Sequence, residues 1–211
     1  MPVAMIHRMD ASDSSITNPK PWSTRMTRLM MSEFQDTFDD FQHQVFRLET
    51  LDFYDSPSER EPLARFRAGQ PQDSTWRARW TARVRTIRKR GATIGRVHVV
   101  TEPLTEYVRF EMTCAYPSNV EDGEDVRILP RGLADELGVP TIDFWLFDDE
   151  RTAIMVYDES GALTHIEVTR DPDTVRDHAR WRDLTRAHAI PLRQYLTSVG
   201  LEPQVGRTAT K

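Results

Sequence analysis

Residues 141–160, TIDFWLFDDERTAIMVYDES, constrain the fold more than any other part of the chain: two strongly apolar strands stand on either side of an Asp-Asp-Glu-Arg turn. They follow another short apolar run, VRILPR at 126–131, so the chain is organised around a sheet. Neither strand carries an obvious catalytic group. The sequence therefore says more about fold than about activity.

Period and punctuation supply the remaining elements. Residues 1–31 mix Ser, Thr, Asp, Pro and scattered Met without helical or strand period and read as a disordered leader, in which Trp22 stands out. Ser32, with Gln35 three positions on, reads as a helix start, and Phe34, Phe38, Phe41 and Val45 fall on one face of that helix as a core stripe. Residues 46–53, FRLETLDF, alternate apolar with polar side chains as a half-buried strand does. Asp73 opens a second helix on which Trp76, Trp80, Val84 and Ile87 share a face, and Gly91 stops it. Arg77, Arg79, Arg85, Arg88, Lys89 and Arg90 spread around its other sides, with Arg83 nearer the apolar stripe. No acidic residue lies between Asp73 and Glu102, so this helix is a positive surface on a chain of net charge −5.

Beyond it, residues 96–100 (RVHVV) read as a buried strand, Pro103 starts a helix that runs to about Ala115, and SNVEDGED is a polar loop. A strand at 126–129 and a short helix at 133–137, ended by Gly138, precede strands near 142–147, 152–158 and 162–169. Asp171 and Pro172 cap and open a helix carrying Val175, Ala179 and Trp181 to about His188. The order β-α-β-α-β-β-β-α argues for an α/β domain over 32–200, a mixed sheet flanked by helices, with 201–211 as a disordered tail.

Composition narrows the function classes. At 38% hydrophobic and 29% charged the chain lies in the ordinary soluble range, and its acidic balance implies no bulk polyanion partner. Cys114 is the sole cysteine, no segment resembles a signal peptide, and the apolar runs fall short of the ~20 residues that span a bilayer, so a reducing cytoplasm is expected. The six histidines include no pair at i, i+4, and neither a nucleophile elbow nor a phosphate-binding glycine loop occurs; no metal and no cofactor is expected. The acidic loop of Glu121, Asp122, Glu124 and Asp125 lacks the ligand alternation of a calcium site.

The blocks RVHVVTEPLTEYVRFEM, GEDVRILPR and DFWLFDDERTAIMVYDESG resemble, in this order, an uncharacterised actinobacterial family: a domain of unknown function whose genes often lie beside helix-turn-helix regulators. The resemblance extends from about Phe34 to Tyr195. In the order of its elements the chain is also similar to one half of a phospholipase-D-like domain. Active members of that fold carry His-x-Lys on the strand that corresponds to DFWLF, the histidine forming a phosphoenzyme and the lysine holding phosphate. Asp143 and Trp145 stand on that strand here, and none of Lys20, Lys89 and Lys211 has a histidine two residues before it. What this resemblance implies is a half domain without the catalytic motif.

Two groups of candidate residues remain. Glu111 projects into the apolar face that Leu104, Val108 and Ala115 define on its helix, so it needs a partner, for which Arg96 and Arg127 are candidates, or a proton. With it, Glu102, Tyr107, Arg109, Arg127, Arg131, Asp143 and Trp145 lie at strand ends or on the helix bordering the central strands, where α/β sheets bind ligands. On the basic helix, Arg77, Arg85, Arg88 and Arg90 could meet phosphates or an acidic protein surface, a solvated helix face being the plainer reading. The expectation is a non-catalytic regulatory or accessory protein that binds a small ligand, a helix-turn-helix regulator, or both. Its alternatives are an enzyme built on a buried carboxylate with an arginine clamp, and a nucleic-acid-binding module; a homodimer is a further candidate assembly.

Overall fold

The computed structural model describes residues 26–204. Its strands are β1 (Thr27–Leu29), β2 (Gln44–Glu49), β3 (Thr93–Val100), β4 (Asp125–Pro130), β5 (Asp143–Phe147), β6 (Arg151–Tyr157), β7 (Leu163–Thr169) and β8 (Ile190–Pro191). They form one eight-stranded sheet in the order β1-β7-β6-β5-β2-β3-β4-β8, with β2, β3 and β4 parallel and the other neighbours antiparallel. The expected mixed α/β sheet flanked by helices is thus present. Its β5–β6 hairpin turns through Asp148 and Asp149, whose φ angles of 50° and 57° are tolerated by aspartate better than by bulkier residues. The Asp148 carboxylate also accepts from the backbone N–H groups of His43 and Gln44, both at 2.8 Å, which fastens the hairpin tip to the start of β2.

The helices are α1 (Met31–Phe34), α2 (Thr37–Asp40), α3 (Arg60–Arg67), α4 (Ala78–Lys89), α5 (Glu106–Phe110), α6 (Tyr116–Glu121), α7 (Arg131–Glu136), α8 (Pro172–His188) and α9 (Leu192–Ser198). One face of the sheet, carrying Phe46, Leu48, Val97, Val99, Phe144 and Leu146, is sealed by α7 and α8 through Ala134, Val175 and Ala179. The opposite face holds two apolar clusters. Val45, Ile94, Phe147 and Met155 pack under Phe34, Phe38, Val84 and Ile87, while Val100, Val126 and Ile128 pack under Val108, Met112, Tyr116 and Leu192. Between these clusters the strands present Arg47, Glu49, Arg96, His98 and Asp143, all buried.

Several expectations need correction. Trp22 lies outside the described residues, but the stretch expected as leader reaches 31 and so overlaps β1, a short edge strand held to β7 by backbone pairing that leaves no side-chain period. The continuous helix from Ser32 is instead two single turns, α1 and α2, the first capped at Met30, whose N–H donates to Glu33 at 2.8 Å. Asp39 and Asp40 end the second turn, where negative charge opposes the helix dipole. The stripe is nevertheless core: Phe34 and Phe38 meet Phe147 edge to face at 6.1 and 5.4 Å. Strand β2 is buried on both faces rather than half-buried because it runs between β3 and β5 with helices over both sides. Helix α3 was not anticipated in the Pro57–Asp73 interval.

The helix expected from Pro103 begins at Glu106, after Thr105, whose Oγ1 accepts from the N–H of Val108. It runs past Ala115 through a π-helical turn, Glu111–Ala115, into α6, so the first half of the expected polar loop is the last turn of a helix. Pro117 has no N–H to offer the carbonyl of Thr113, and the N–H of Gln204 fills that acceptor at 2.8 Å. This bond ties down Gln204, within the stretch expected as tail.

Candidate functional site

The polar row on the second face follows from strand register. Parallel pairing sets Arg47 of β2 beside Arg96 of β3 and Glu49 beside His98, and antiparallel β5 sets Trp145 opposite Arg47. Two adjacent guanidinium groups in a sheet interior repel unless carboxylates separate them. Arg47 Nη2 donates to Asp143 Oδ2 and to the Tyr157 hydroxyl, both at 2.9 Å, and its Nε lies 3.5 Å from Glu49 Oε1. Arg96 Nη1 donates to Glu49 Oε2 at 2.9 Å and its Nε to Glu124 Oε1 at 2.6 Å; Trp80 Nε1 holds the other oxygen of Glu124 at 3.0 Å. His98 Nε2 is 2.8 Å from the carbonyl of Leu51, which can only accept, so that nitrogen carries the hydrogen. Nδ1 then faces the Tyr116 hydroxyl at 2.8 Å and Glu111 Oε2 at 3.6 Å.

Arg47, Glu49 and Arg96 of this row line a cleft of about 680 Å³. Tyr54, Tyr107, Tyr157 and Trp145 line it as aromatic walls, with Arg47, Glu49, Arg96 and Glu111 at the base, Glu59 and Arg77 to the side, and Met31 at the rim. Tyr107 donates to Glu59 Oε2 at 2.6 Å, and Arg77 Nη2 to Asn119 Oδ1 at 2.7 Å. Three buried atoms of lining residues have no hydrogen-bond partner: Glu111 Oε2, Arg47 Nη1 and Arg77 Nε. Leaving a buried polar group unsatisfied costs about 1–3 kcal/mol, more where it is charged.

The electrostatics differ sharply among the carboxyl groups. Burial pushes Glu49 up, but the guanidinium groups of Arg96 and Arg47 outweigh it and hold the carboxyl at about 2. Burial, reinforced by the neighbouring Glu49 and Glu59, pushes Glu111 well above the ordinary glutamate range. Glu59 is raised as well, by burial, against the hydrogen bond from Tyr107 and the charge of Arg77. Tyr157 is pushed up to about 12, chiefly by burial. Glu111 also opens the π-helical turn, a distortion found frequently at functional sites. Among the described residues, no three His, Cys, Asp or Glu side chains converge as a metal site requires.

Of the residues expected to bind ligand, the structure brings Tyr107, Glu111 and Trp145 together on the cleft. Asp143 lies behind it with both oxygens occupied, accepting from the N–H and Oγ1 of Thr50 at 2.8 and 2.7 Å, from Tyr54 at 2.6 Å and from Arg47. It orients Arg47 and Tyr54. The others lie elsewhere. Glu102 accepts from the Tyr195 hydroxyl at 2.5 Å, Arg109 is exposed on α5, and Arg131 donates to the carbonyl of Thr50. Arg127 pairs with Asp125 at 3.1 Å; one residue on from Val126, which is the register partner of Arg96, it points to the other face and cannot serve Glu111. Arg96, the other expected partner, is occupied by Glu49 and Glu124.

Among the four arginines singled out on the basic helix, Arg77 is not on the exposed surface but in the cleft. Residues 74–77 form a 3₁₀ turn, whose tighter period displaces Arg77 from its position on an α-helical wheel. Arg85 pairs with Asp122 at 2.6 Å, Arg88 donates to the carbonyl of Ala92 at 3.1 Å, and Arg90 donates to the carbonyl of Phe38 at 3.1 Å while lying over the Phe41 ring. Acids absent along the helix are supplied across space by the turn before β4.

Arg47, Glu49 and Glu59 were not foreseen as site residues. The alternation RLE on β2 is the available signal: charges two apart point to one face, and they become a site only once β2 is known to be central, beside Arg96 and His98.

The molecule is therefore a mixed α/β sandwich with one apolar sheet face and one face that carries a charged, aromatic-walled cleft. The chain belongs to the family described as a domain of unknown function, DUF6879, whose model matches residues 32–197. That match nearly coincides with the stretch from about Phe34 to Tyr195 over which the sequence resemblance extends. No curated protein matches the chain. Among solved structures it is similar to Nuc of Salmonella typhimurium, a phospholipase D family member, with 8% identity over 76% of this chain and 88% of that one and a TM-score of 0.45. It is also similar to TrmBL2, an archaeal chromatin protein described as showing a novel mode of DNA binding, with 9% identity, a TM-score of 0.43, and coverage of 83% of this chain but 56% of that one. At TM-scores below 0.5 neither likeness bears on function.

Proposed function

We propose that this protein is a non-catalytic accessory domain whose cleft over β2 and β3 binds a small polar molecule and reports its presence to a helix-turn-helix regulator. The observation that carries the binding half is the set of buried, unpartnered atoms on the cleft, Glu111 Oε2 above all, since groups of this kind gain most when a ligand supplies their hydrogen bonds. The regulatory half is supported by the resemblance of the three sequence blocks to a family whose genes adjoin such regulators. Purification from the native host, followed by native mass spectrometry, tests both halves. A retained small molecule that is lost on Glu111→Leu, together with a co-purifying regulator, is the expected result; recovery of neither overturns the proposal.

An enzymatic reading has one specific support, the 3.6 Å approach of His98 Nδ1 to Glu111, a geometry from which a proton could be relayed to a bound substrate. It expects chemical turnover of the retained molecule, which the accessory reading does not. Nucleic-acid binding by the basic helix has weaker support, because Arg77 is in the cleft and Arg85, Arg88 and Arg90 already hold protein acceptors.

A further inference from the structure

Charge in and beneath the cleft does not balance. The guanidinium groups of Arg47, Arg77 and Arg96 stand against the carboxyl groups of Glu49, Glu59, Glu111, Glu124 and Asp143. Arg47 is committed to Asp143, and Arg96 to Glu49 and Glu124. Arg77 is 3.9 Å from Glu59. Among the described residues the only basic group within 4 Å of Glu111 is the imidazole of His98. Glu111 is nevertheless 5% exposed, and its Oε2 accepts no hydrogen bond.

An excess of buried carboxyl groups is relieved either by protons or by a cation. Burial and like charge favour a proton on Glu111, and burial favours one on Glu59. The walls suit a cationic nitrogen equally well. Tyr54 lies 5.2 Å from Tyr157 and 6.1 Å from Tyr107 between ring centroids, and such rings attract cations through their electron-rich faces. Arg47 Nη1 and Arg77 Nε, on the same cleft, are unused donors that match an oxygen acceptor.

We propose that the ligand is a small zwitterion, its ammonium or amidinium nitrogen seated on Glu111 and Glu59, its carboxylate oxygen taken by Arg47 and Arg77, and its apolar body laid against the tyrosines. The inference rests on the reading of the cleft as a binding site and names the chemistry of its occupant. It also gives binding a pH dependence. Glu111 faces Glu49 from β2, Arg96 and His98 from β3, Glu59 from the start of α3, Arg77 from the 3₁₀ turn, and Tyr107 and Tyr116 from its own helix. The ligand cation must displace the proton of Glu111, so affinity rises with pH while the ligand amine stays charged.

Calorimetric titration of the full chain with three probes tests this. L-phenylalanine carries both charges, phenethylamine the cation alone, and 3-phenylpropionate the anion alone, all on the same ring. L-phenylalanine is expected to bind tightest and 3-phenylpropionate weakest, the two differing by roughly tenfold or more, as a charged hydrogen bond warrants. Phenethylamine binding should strengthen as pH rises above the ordinary glutamate range, with proton release, and weaken about tenfold in Glu111→Gln. The wild-type ranking needs no variant, so the test survives a substitution that fails to fold. Tightest binding of 3-phenylpropionate overturns the cation site and leaves the binding cleft standing. Absence of heat with all three probes at millimolar concentration overturns the zwitterion, and the cleft itself falls only if native purification also recovers no molecule.

Discussion

The two faces of the central sheet are built from the same strands to opposite ends. Along β2, Phe46 and Leu48 enter the core beneath α7 and α8, while Arg47 and Glu49 enter the charged row on the other side; along β5, Phe144 and Asp143 divide in the same way. On the first face the polar insertion at β6 is Thr152, bonded to His178, which stacks on Phe144 at 4.2 Å. On the second, most charged groups pair with one another, while Arg47 Nη1, Arg77 Nε and Glu111 Oε2 on the cleft and Arg151 Nε beside Phe147 do not. Apolar burial needs no partner geometry and stabilises in proportion to area, whereas buried charge roughly breaks even against desolvation. The difference teaches that both faces contribute apolar core, while the second also carries a buried charged row that adds little net stability.

Neighbouring residues on β5 offer the largest test. Phe144→Ala should lose about 3–5 kcal/mol by cavity formation. Asp143→Ala should lose a similar amount, about 3–5 kcal/mol, by taking from Arg47 the carboxylate that its Nη2 binds and leaving it only Glu49 at 3.5 Å. The faces separate on double replacement. Arg47→Met with Asp143→Leu removes both charges and should recover part of that loss, the remainder reflecting the Thr50 and Tyr54 donors left without their acceptor, while abolishing ligand binding. Urea denaturation measures all three. A double variant as unstable as Asp143→Ala would show that the charged face is a stability element after all.

Opposite pH responses come next in size. Burial lowers His178, on the apolar face, to about 3. Between that value and its ordinary 6.5 the unfolded chain binds a proton that the folded chain refuses, so stability present above about pH 6.5 is lost as pH falls toward 3, by up to roughly 1.4 kcal/mol per unit. Glu111 works in the other direction. Its folded form keeps a proton that the unfolded chain releases above about 4.5, so its contribution is fully present below that pH and is lost as pH rises toward the folded value. His178→Gln should therefore flatten the acid limb of a stability profile, and Glu111→Gln should gain on wild type as pH increases. Parallel profiles for wild type and Glu111→Gln would remove Glu111 from the buried titrating groups.

How much of this was legible in the sequence depends on whether a residue's environment is local. The hairpin at β5–β6, the Asp171 cap of α8 and the apolar stripe of α4 are dictated by neighbours a few positions away, and each lies where period and turn chemistry put it. Glu111 was legible because a carboxyl on an apolar helix stripe contradicts its surroundings within two turns. Arg47 and Glu49 were not: alternation in FRLET reads as half exposure unless the strand is known to be central, and strand order is a long-range property. Arg77 was misplaced by one 3₁₀ turn, a change of period that no residue in STWR announces. Arg127, offered as the partner of Glu111, fails on strand parity, which alignment to Arg96 across β3 and β4 alone decides.

The smallest expected effect sharpens the comparison by repeating the same chemistry in water. Arg85 and Asp122 form a pair at 2.6 Å, shorter than the 2.9 Å of Arg47 and Asp143, yet the Arg85 side chain is 68% exposed where that of Arg47 is 4% exposed. If distance decided the value of an ion pair, Asp122→Ala would cost more than Asp143→Ala. Solvent screening and the entropy of a long side chain instead leave exposed pairs at about 0–1 kcal/mol. Asp122→Ala should then shift the urea midpoint by a small fraction of the shift in Asp143→Ala, and the shift should shrink in 1 M salt, where the screening length falls to roughly 3 Å. A salt-independent loss approaching that of Asp143→Ala would mean that the turn before β4 is held by this pair, and that the basic helix belongs with the charged row rather than with the solvent.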